Sequence, residues 1–173
     1  EAKWRSPERL SPPLKAPEAM AACSIELSCL ADAKFAQLGL SSLQFYLNGD
    51  SNVINTLYEL LFNNVYRILL RNPKNPSQRP VILPTGSLRA MGFTENEALL
   101  PYPRRSFGGY RLLQEYFNFP EKFFFIELKN LAPLAAGDFD DKVEVVFLMS
   151  PFERNDRQQM LEMGVNEKTF KLG

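Results

Sequence analysis

Apolar positions along the chain recur in three different patterns. From Ser24 to Leu30 they alternate with polar ones, with Ile25, Leu27 and Cys29 on one face and Ser24, Glu26 and Ser28 on the other. Period-two spacing marks a strand half-buried on a sheet. Leu43 to Leu47 repeats it, with Leu43, Phe45 and Leu47 inward, and Asn48-Gly49-Asp50 closes the strand with turn-forming residues. The period then changes. Val53, Ile54, Leu57, Leu60, Leu61, Val65, Ile68 and Leu69 recur at helical spacing and predict one long amphipathic helix with a stripe wide enough to pack on a sheet. Asp50 or Ser51 can cap its N-terminal amides, Arg67 and Arg71 complement its C-terminal dipole, and Asn72 before Pro73 stops it. The third pattern is near-continuous. Phe123 to Leu128 predicts a central strand covered on both faces, and Lys142 to Met149 another, with Val143, Val145, Phe147 and Met149 facing one way.

The intervals are read from their punctuation. Asn72 to Pro80 is an exposed loop by composition, and Val81 to Phe93 holds one or two short strands broken by Pro84 and Gly86. Turns and an extended stretch occupy 94 to 109. Tyr110 to Phe117 is a short helix with Leu113, Tyr116 and Phe117 grouped, and 129 to 141 is a loop joining the two apolar strands. Asn155 or Asp156 caps a last short helix through Met163, with Gly164 just past its end. Ser6 to Pro17 carries Pro7, Pro12, Pro13 and Pro17 among polar residues, so residues 1–20 are expected as a proline-rich arm or linker and 21–173 as a middle domain of a longer chain. The expected fold class is α+β: a mainly antiparallel, sandwich-like sheet core, one long amphipathic helix and one or two short ones.

Composition narrows the chemistry. The 173 residues contain 20 basic and 20 acidic side chains and no histidine. Zero net charge argues against a nucleic-acid binder, and the missing imidazole removes the commonest general base and metal ligand. Cys23 and Cys29 lie about 20 Å apart if they share a strand, too far for a disulfide, and read as reduced thiols of a cytoplasmic protein. No apolar run is long enough to span a bilayer. Gly86, Gly92 and Gly108-Gly109 fit no phosphate-binding loop and read as turn glycines. Asp138, Asp140 and Asp141 lack the calcium-loop pattern and read as a solvated loop. Glu95 and Glu97 are the carboxylates that a hydrolase reading would need, and only converging geometry with a perturbed pKa would support it. No cofactor is expected.

Two features could meet a partner. Trp4, before the prolines, is either a surface anchor or a residue left from a preceding domain. Tyr102, Arg104, Arg105, Phe107 and Tyr110 form a basic and aromatic cluster of the kind enriched at interface hot spots, although such a stretch also stitches a long loop to its own core.

The segment from Leu88 onward also carries a resemblance. It reads Gly92-Phe93-Thr94-Glu95-Asn96-Glu97-Ala98-Leu99-Leu100-Pro101-Tyr102-Pro103, then Ser106-Phe107, then Gly109-Tyr110-Arg111-Leu112-Leu113-Gln114-Glu115-Tyr116-Phe117, then Phe119-Pro120-Glu121-Lys122-Phe123. With Leu43 to Gly49, Tyr58 to Leu61 and Phe170 to Gly173 in the same order, this resembles the central part of the TssF family, also called VasA or ImpG. The resemblance implies a cytoplasmic scaffold subunit of the type VI secretion baseplate, at the cytoplasmic side of the inner membrane. It implies association with TssG, two copies to one, in wedges that bind TssK and TssE, surround the spike hub and seed the contractile sheath. It implies no catalytic residue, no cofactor, no nucleic acid, no small-molecule substrate and no membrane insertion. The competing reading from the residues is a glycan- or peptide-binding α+β module built on Tyr102, Arg105 and Tyr110.

Overall fold

The computed structural model describes residues 1–10, 13–30, 33–101, 103, 105, 107–136, 139–152 and 155–173, with the backbone alone at Asn155. In chain order its elements are β1 (Ala2–Arg5), β2 (Ala21–Ser28), α1 (Phe35–Leu38), β3 (Ser42–Leu47), α2 (Ser51–Asn63), β4 (Val65–Arg71), β5 (Val81–Leu83), β6 (Leu88–Ala90), α3 (Gly108–Asn118), β7 (Phe125–Lys129), α4 (Pro133–Ala136), β8 (Lys142–Met149), α5 (Asn155–Gly164) and β9 (Phe170–Leu172). The strands form two sheets, ordered β1-β2-β8-β4-β5 and β6-β7-β3-β9. Every pairing is antiparallel. The α+β class expected from the sequence is the class observed.

β8 is the axis of the larger sheet. Its alternate side chains Val143, Val145, Phe147 and Met149 enter the main core, as their spacing predicts, and Val146 and Leu148 enter a smaller cluster on the opposite face. Phe45, Leu47, Ile126 and Leu128 of the second sheet, and Val53, Ile54, Leu57, Leu60 and Leu61 of α2, close the main core. Burying each such side chain contributes about 1.5–3 kcal/mol.

The long helix ends earlier than its periodicity predicts. Asp50 caps it, its side chain accepting from the Asn52 amide at 2.9 Å. It stops at Asn63, and the Asn64 carbonyl accepts from the Ser150 amide instead, at 2.8 Å. Val65, Ile68 and Leu69 then belong to β4, which pairs with β8 through a register shift between Val65 and Arg67. A strand buried on both faces is apolar at nearly every position, so Ile68, Leu69 and Leu70 mimic helical spacing; Asn63-Asn64, whose side chains compete for backbone hydrogen bonds, mark the break.

Val81–Leu83 and Leu88–Ala90 are the short strands expected around Pro84 and Gly86. β7 begins at Phe125 rather than Phe123, because Pro120–Phe124 takes up a 3-10 turn, and it lies centrally between β6 and β3. The interval from 129 to 141 crosses between the sheets rather than joining neighbours. It includes α4 and buries Leu131, Leu134 and Phe139. The last helix forms where expected, while the capping role assigned to the Asn155 side chain lies outside the described residues.

The described residues of the 1–20 segment pack against the larger sheet. β1 hydrogen-bonds along β2, and Trp4 is 2% exposed, edge-on to Phe152 at 6.1 Å. Leu10, Leu14, Ala16 and Ala19 lie over Ala22, Leu69, Val146 and Leu148 on the outer face of the larger sheet. Proline removes amide donors, so an extended segment can cover a sheet without leaving many polar groups unpaired beneath it. Cys23 is buried, Cys29 half-buried and both are free thiols.

Candidate interaction surface

The segment from Leu88 to Phe123 is held together by two carboxylates. Arg89 on β6 donates from Nε to Glu127 of β7 at 2.8 Å and from Nη2 to Glu97 at 2.6 Å. The other Glu97 oxygen accepts the amides of Gly92 at 2.8 Å and Thr94 at 3.1 Å. Gly92 has φ +96, and a Cβ there would lie 3.1 Å from the Lys122 carbonyl oxygen, so the turn requires glycine. Burial alone would raise the Glu97 pKa; Arg89 and the Thr94 and Gly92 amides outweigh it and hold the group at about 2.

Glu115 is the second anchor. It is fully buried, and one oxygen accepts the amides of Leu99 at 2.9 Å and Leu100 at 3.1 Å. Its other oxygen meets the Lys122 ammonium. Arg111, one turn earlier, donates to the Thr94 carbonyl at 3.4 Å. Burial would push the Glu115 carboxyl up; Lys122 and the Leu100 and Leu99 amides draw it below its ordinary value.

The consequence is a helix turned inside out. α3 docks through Arg111 and Glu115 and leaves Tyr110, Leu113, Tyr116 and Phe117 exposed, Phe117 by 78%. The sequence grouping of Leu113, Tyr116 and Phe117 on one side is correct, but that side faces out. Helical spacing identifies an apolar stripe without saying whether the fold or a partner covers it. The readable signal was the i,i+4 pair Arg111 and Glu115 on the opposite face, just after Gly108-Gly109. Phe107 extends the patch. It is 75% exposed and packs edge-on to Tyr110 at 5.9 Å, with Gly109 leaving room for its ring. At the other end Tyr116 and Phe93 both stack on Phe123, at 5.9 and 5.2 Å.

Of the sequence-derived candidates, Phe107 and Tyr110 therefore meet on one surface, and Arg105 is exposed beside them in the chain. Tyr102 and Arg104 lie outside the described residues. Trp4 is a core residue whose indole N–H has no hydrogen-bond partner. Contiguous exposed aromatic groups of this kind mark protein contact surfaces.

The chemistry elsewhere is structural in character. Glu97, raised as one of two hydrolytic carboxylates, is an ion-paired clamp; its pKa is shifted opposite to the direction a general acid needs. The Cys23 thiol is pushed by burial up to about 12, which suppresses the thiolate. Asp140 and Asp141 pair with Lys34 and Lys74. Among the described residues no group of acidic and cysteine side chains is arranged to hold a metal ion, and no helix is long and apolar enough to cross a membrane.

Comparisons with known proteins converge. The family described as type VI secretion system, TssF, matches residues 1–173. The type VI secretion system component TssF1 of Pseudomonas aeruginosa (strain PAO1) is 38% identical over 138 residues, covering 80% of this chain and 22% of that protein. A chain of the type VI secretion system TssK-TssF-TssG baseplate subcomplex, solved by cryo-electron microscopy, superposes with a TM-score of 0.64 at 26% identity, covering 80% of this chain and 26% of that one. The chain thus spans about a quarter of the length of these relatives.

Proposed function

The chain belongs to the TssF family of type VI secretion systems, and from that premise we propose that it is a structural segment of a baseplate subunit, built to be held by neighbouring subunits rather than to catalyse. The observation that carries the reading is the inverted α3. A helix that spends its charged residues on internal anchoring and presents Tyr110, Leu113, Tyr116 and Phe117 outward leaves an apolar face whose burial requires another surface. That helix lies within the very stretch that resembles the family's central part.

The relative's solved assembly contains TssK and TssG, and the corresponding subunits are the partners proposed here, with the TssG-like one on the α3 face. Two copies of this chain's parent protein per TssG-like subunit, further contacts with TssE, the spike hub and the sheath, and a position at the cytoplasmic side of the inner membrane complete the reading. Apolar and aromatic contact patches suit subunits that hold several partners and then change their mutual angles. The competing glycan- or peptide-binding module draws no support: among the described residues, neither Arg105 nor Tyr110 lines the cavities at β1 and β9.

Co-expression of the full-length protein with the TssG-like and TssK-like proteins encoded beside it, followed by mass determination of the complex, tests the reading. A complex with two copies of the protein per TssG-like subunit, lost in the Leu113→Lys/Phe117→Lys variant while that variant stays folded, is expected. A lone monomer, or a complex of unchanged mass in the variant, overturns the assignment of this face.

A further inference from the structure

Leu113 is the middle residue of α3, and the sequence around it reads nearly alike in both directions. Tyr110 mirrors Tyr116, the N-cap residue Phe107 mirrors the C-cap residue Phe119, and Arg111 mirrors Glu115 as its ion-pair partner. Outside the helix Arg105 mirrors Glu121. At about 100° per residue Leu113 lies opposite the buried Arg111 and Glu115, so it is the centre of the outward face. Tyr110 and Phe117 flank it on one side, Gly109 and Tyr116 on the other.

Charge and area bear on what covers this face. Arg111 and Glu115 are the charged side chains of α3, and both are buried. A symmetric contact brings every charge near its own copy, and this face carries none to be repelled. Phe107, Tyr110, Leu113, Tyr116, Phe117 and Phe119 are each 42–78% exposed. Together they offer roughly 700 Å² of side-chain surface, close to the about 800 Å² per partner of a standard stable interface. Arg105 and Glu121, at the two ends, are exposed, and among the described residues neither is ion-paired.

We infer that α3 pairs with α3 of a second copy of this chain's parent protein, antiparallel, about a two-fold axis through Leu113. Each residue then meets the one equally far beyond Leu113 in the other copy. Leu113 meets Leu113 and Tyr110 meets Tyr116. Phe117 of each copy reaches Gly109 of the other, where the Phe107 ring lies over the glycine. Arg105 of one copy comes opposite Glu121 of the other, twice. Antiparallel packing also sets the two helix dipoles head to tail. A two-fold contact requires each half of a patch to complement its other half, which is the property the mirrored residues supply and an unrelated partner does not call for. The inference rests on the reading of α3 as an assembly face and adds what covers its centre. The TssG-like subunit then lies across the paired helices, so that one such subunit holds two copies.

A cysteine on the axis tests the pairing. Leu113→Cys is made in the full-length protein, purified with and without the co-expressed TssG-like protein. Ile82→Cys, 62% exposed on β5, is the off-axis control. A disulfide needs Cα atoms within about 7 Å, and two copies of one helix position come that close across a packed pair where the axis passes through that position. Expected on mild oxidation is a cross-linked dimer from Leu113→Cys and none from Ile82→Cys. Arg105→Glu or Glu121→Arg alone places like charges together and is expected to slow cross-linking about twofold to fivefold, and the double variant to restore it. No dimer from Leu113→Cys, equal dimer from both cysteines, or a double variant as slow as the single ones overturns the pairing. The two readings fail separately. A complex with the TssG-like protein that yields no cross-link keeps the assembly face and removes the pairing, whereas a cross-link in protein that never binds the TssG-like one supports the pairing and removes that partner.

Discussion

Glu97 and Glu115 show how single carboxylates set local geometry here. Each gathers two backbone amides and at least one cation, and each replaces regular secondary structure as the organiser of a loop. Their titration has a definite sign. A carboxyl depressed in the folded state stabilises the fold at pH above its unfolded value and loses that contribution as pH falls through its folded one. For Glu97 the window runs from the ordinary value of 4.5 down to about 2. Stability measured by urea denaturation is therefore expected to decline across that window in the parent chain, and less steeply in Glu97→Gln. Identical slopes would show that Glu97 titrates alike in both states. None of this was legible in the sequence, where Glu95 and Glu97 are indistinguishable by spacing; the Arg89 that separates them is brought in by a strand pairing to β7.

At the scale of elements, the chain teaches two limits of periodicity. α2 and β4 read as one helix because a doubly buried strand supplies apolar residues at any spacing one looks for. α3 reads correctly as a helix with its apolar residues grouped, but periodicity leaves open which way the stripe faces, and here it faces out. The two faces of α3 are expected to respond oppositely to substitution. Leu113→Lys/Phe117→Lys should leave stability within about 0.5 kcal/mol, as exposed changes do. Glu115→Ala strands Lys122, which is 9% exposed, and should cost about 3–5 kcal/mol, a Tm fall of roughly 6–20 °C. Thermal unfolding followed by circular dichroism reads both. A large loss in the first variant and none in the second would mean that α3 docks by its aromatic face. By contrast β8 was legible to the residue and β3 to within one, since alternation and continuous apolar runs report burial, whereas β2 runs from Ala21 to Ser28 rather than from Ser24 to Leu30 and buries Ser24, because its first half is covered on both faces.

The whole molecule is two antiparallel sheets and α2 around one core, with the proline-rich segment laid over the larger sheet's outer face. Sequence reasoning recognised that segment as extended but had no means to see the surface it covers. Its role as a cover makes a prediction at this scale. Deleting residues 1–17 removes β1 and the side chains of Leu10, Leu14 and Ala16, uncovering Leu69, Val146 and Leu148. The truncated chain is expected to elute as aggregate in size-exclusion chromatography where the parent elutes at its own mass. A well-folded truncated monomer with unaltered Tm would show that the cover is dispensable. The buried pair Arg71 and Glu144, with Nε 2.9 Å from the carboxylate, ties β4 to β8 within the same sheet.

The place of β8 in the chain has a further consequence, which concerns synthesis. β2 and β4 do not pair with each other; each waits for β8, whose first residue follows the end of β4 by some seventy positions. At translation rates of roughly 5–20 residues per second that is about 4–14 s. During that interval two apolar strands with open edges stand at the ribosome without the element that belongs between them. A nascent chain of this architecture is therefore expected to be a client for holding chaperones until β8 emerges, and codon choice between Arg71 and Lys142 becomes a determinant of how much of it reaches an assembly.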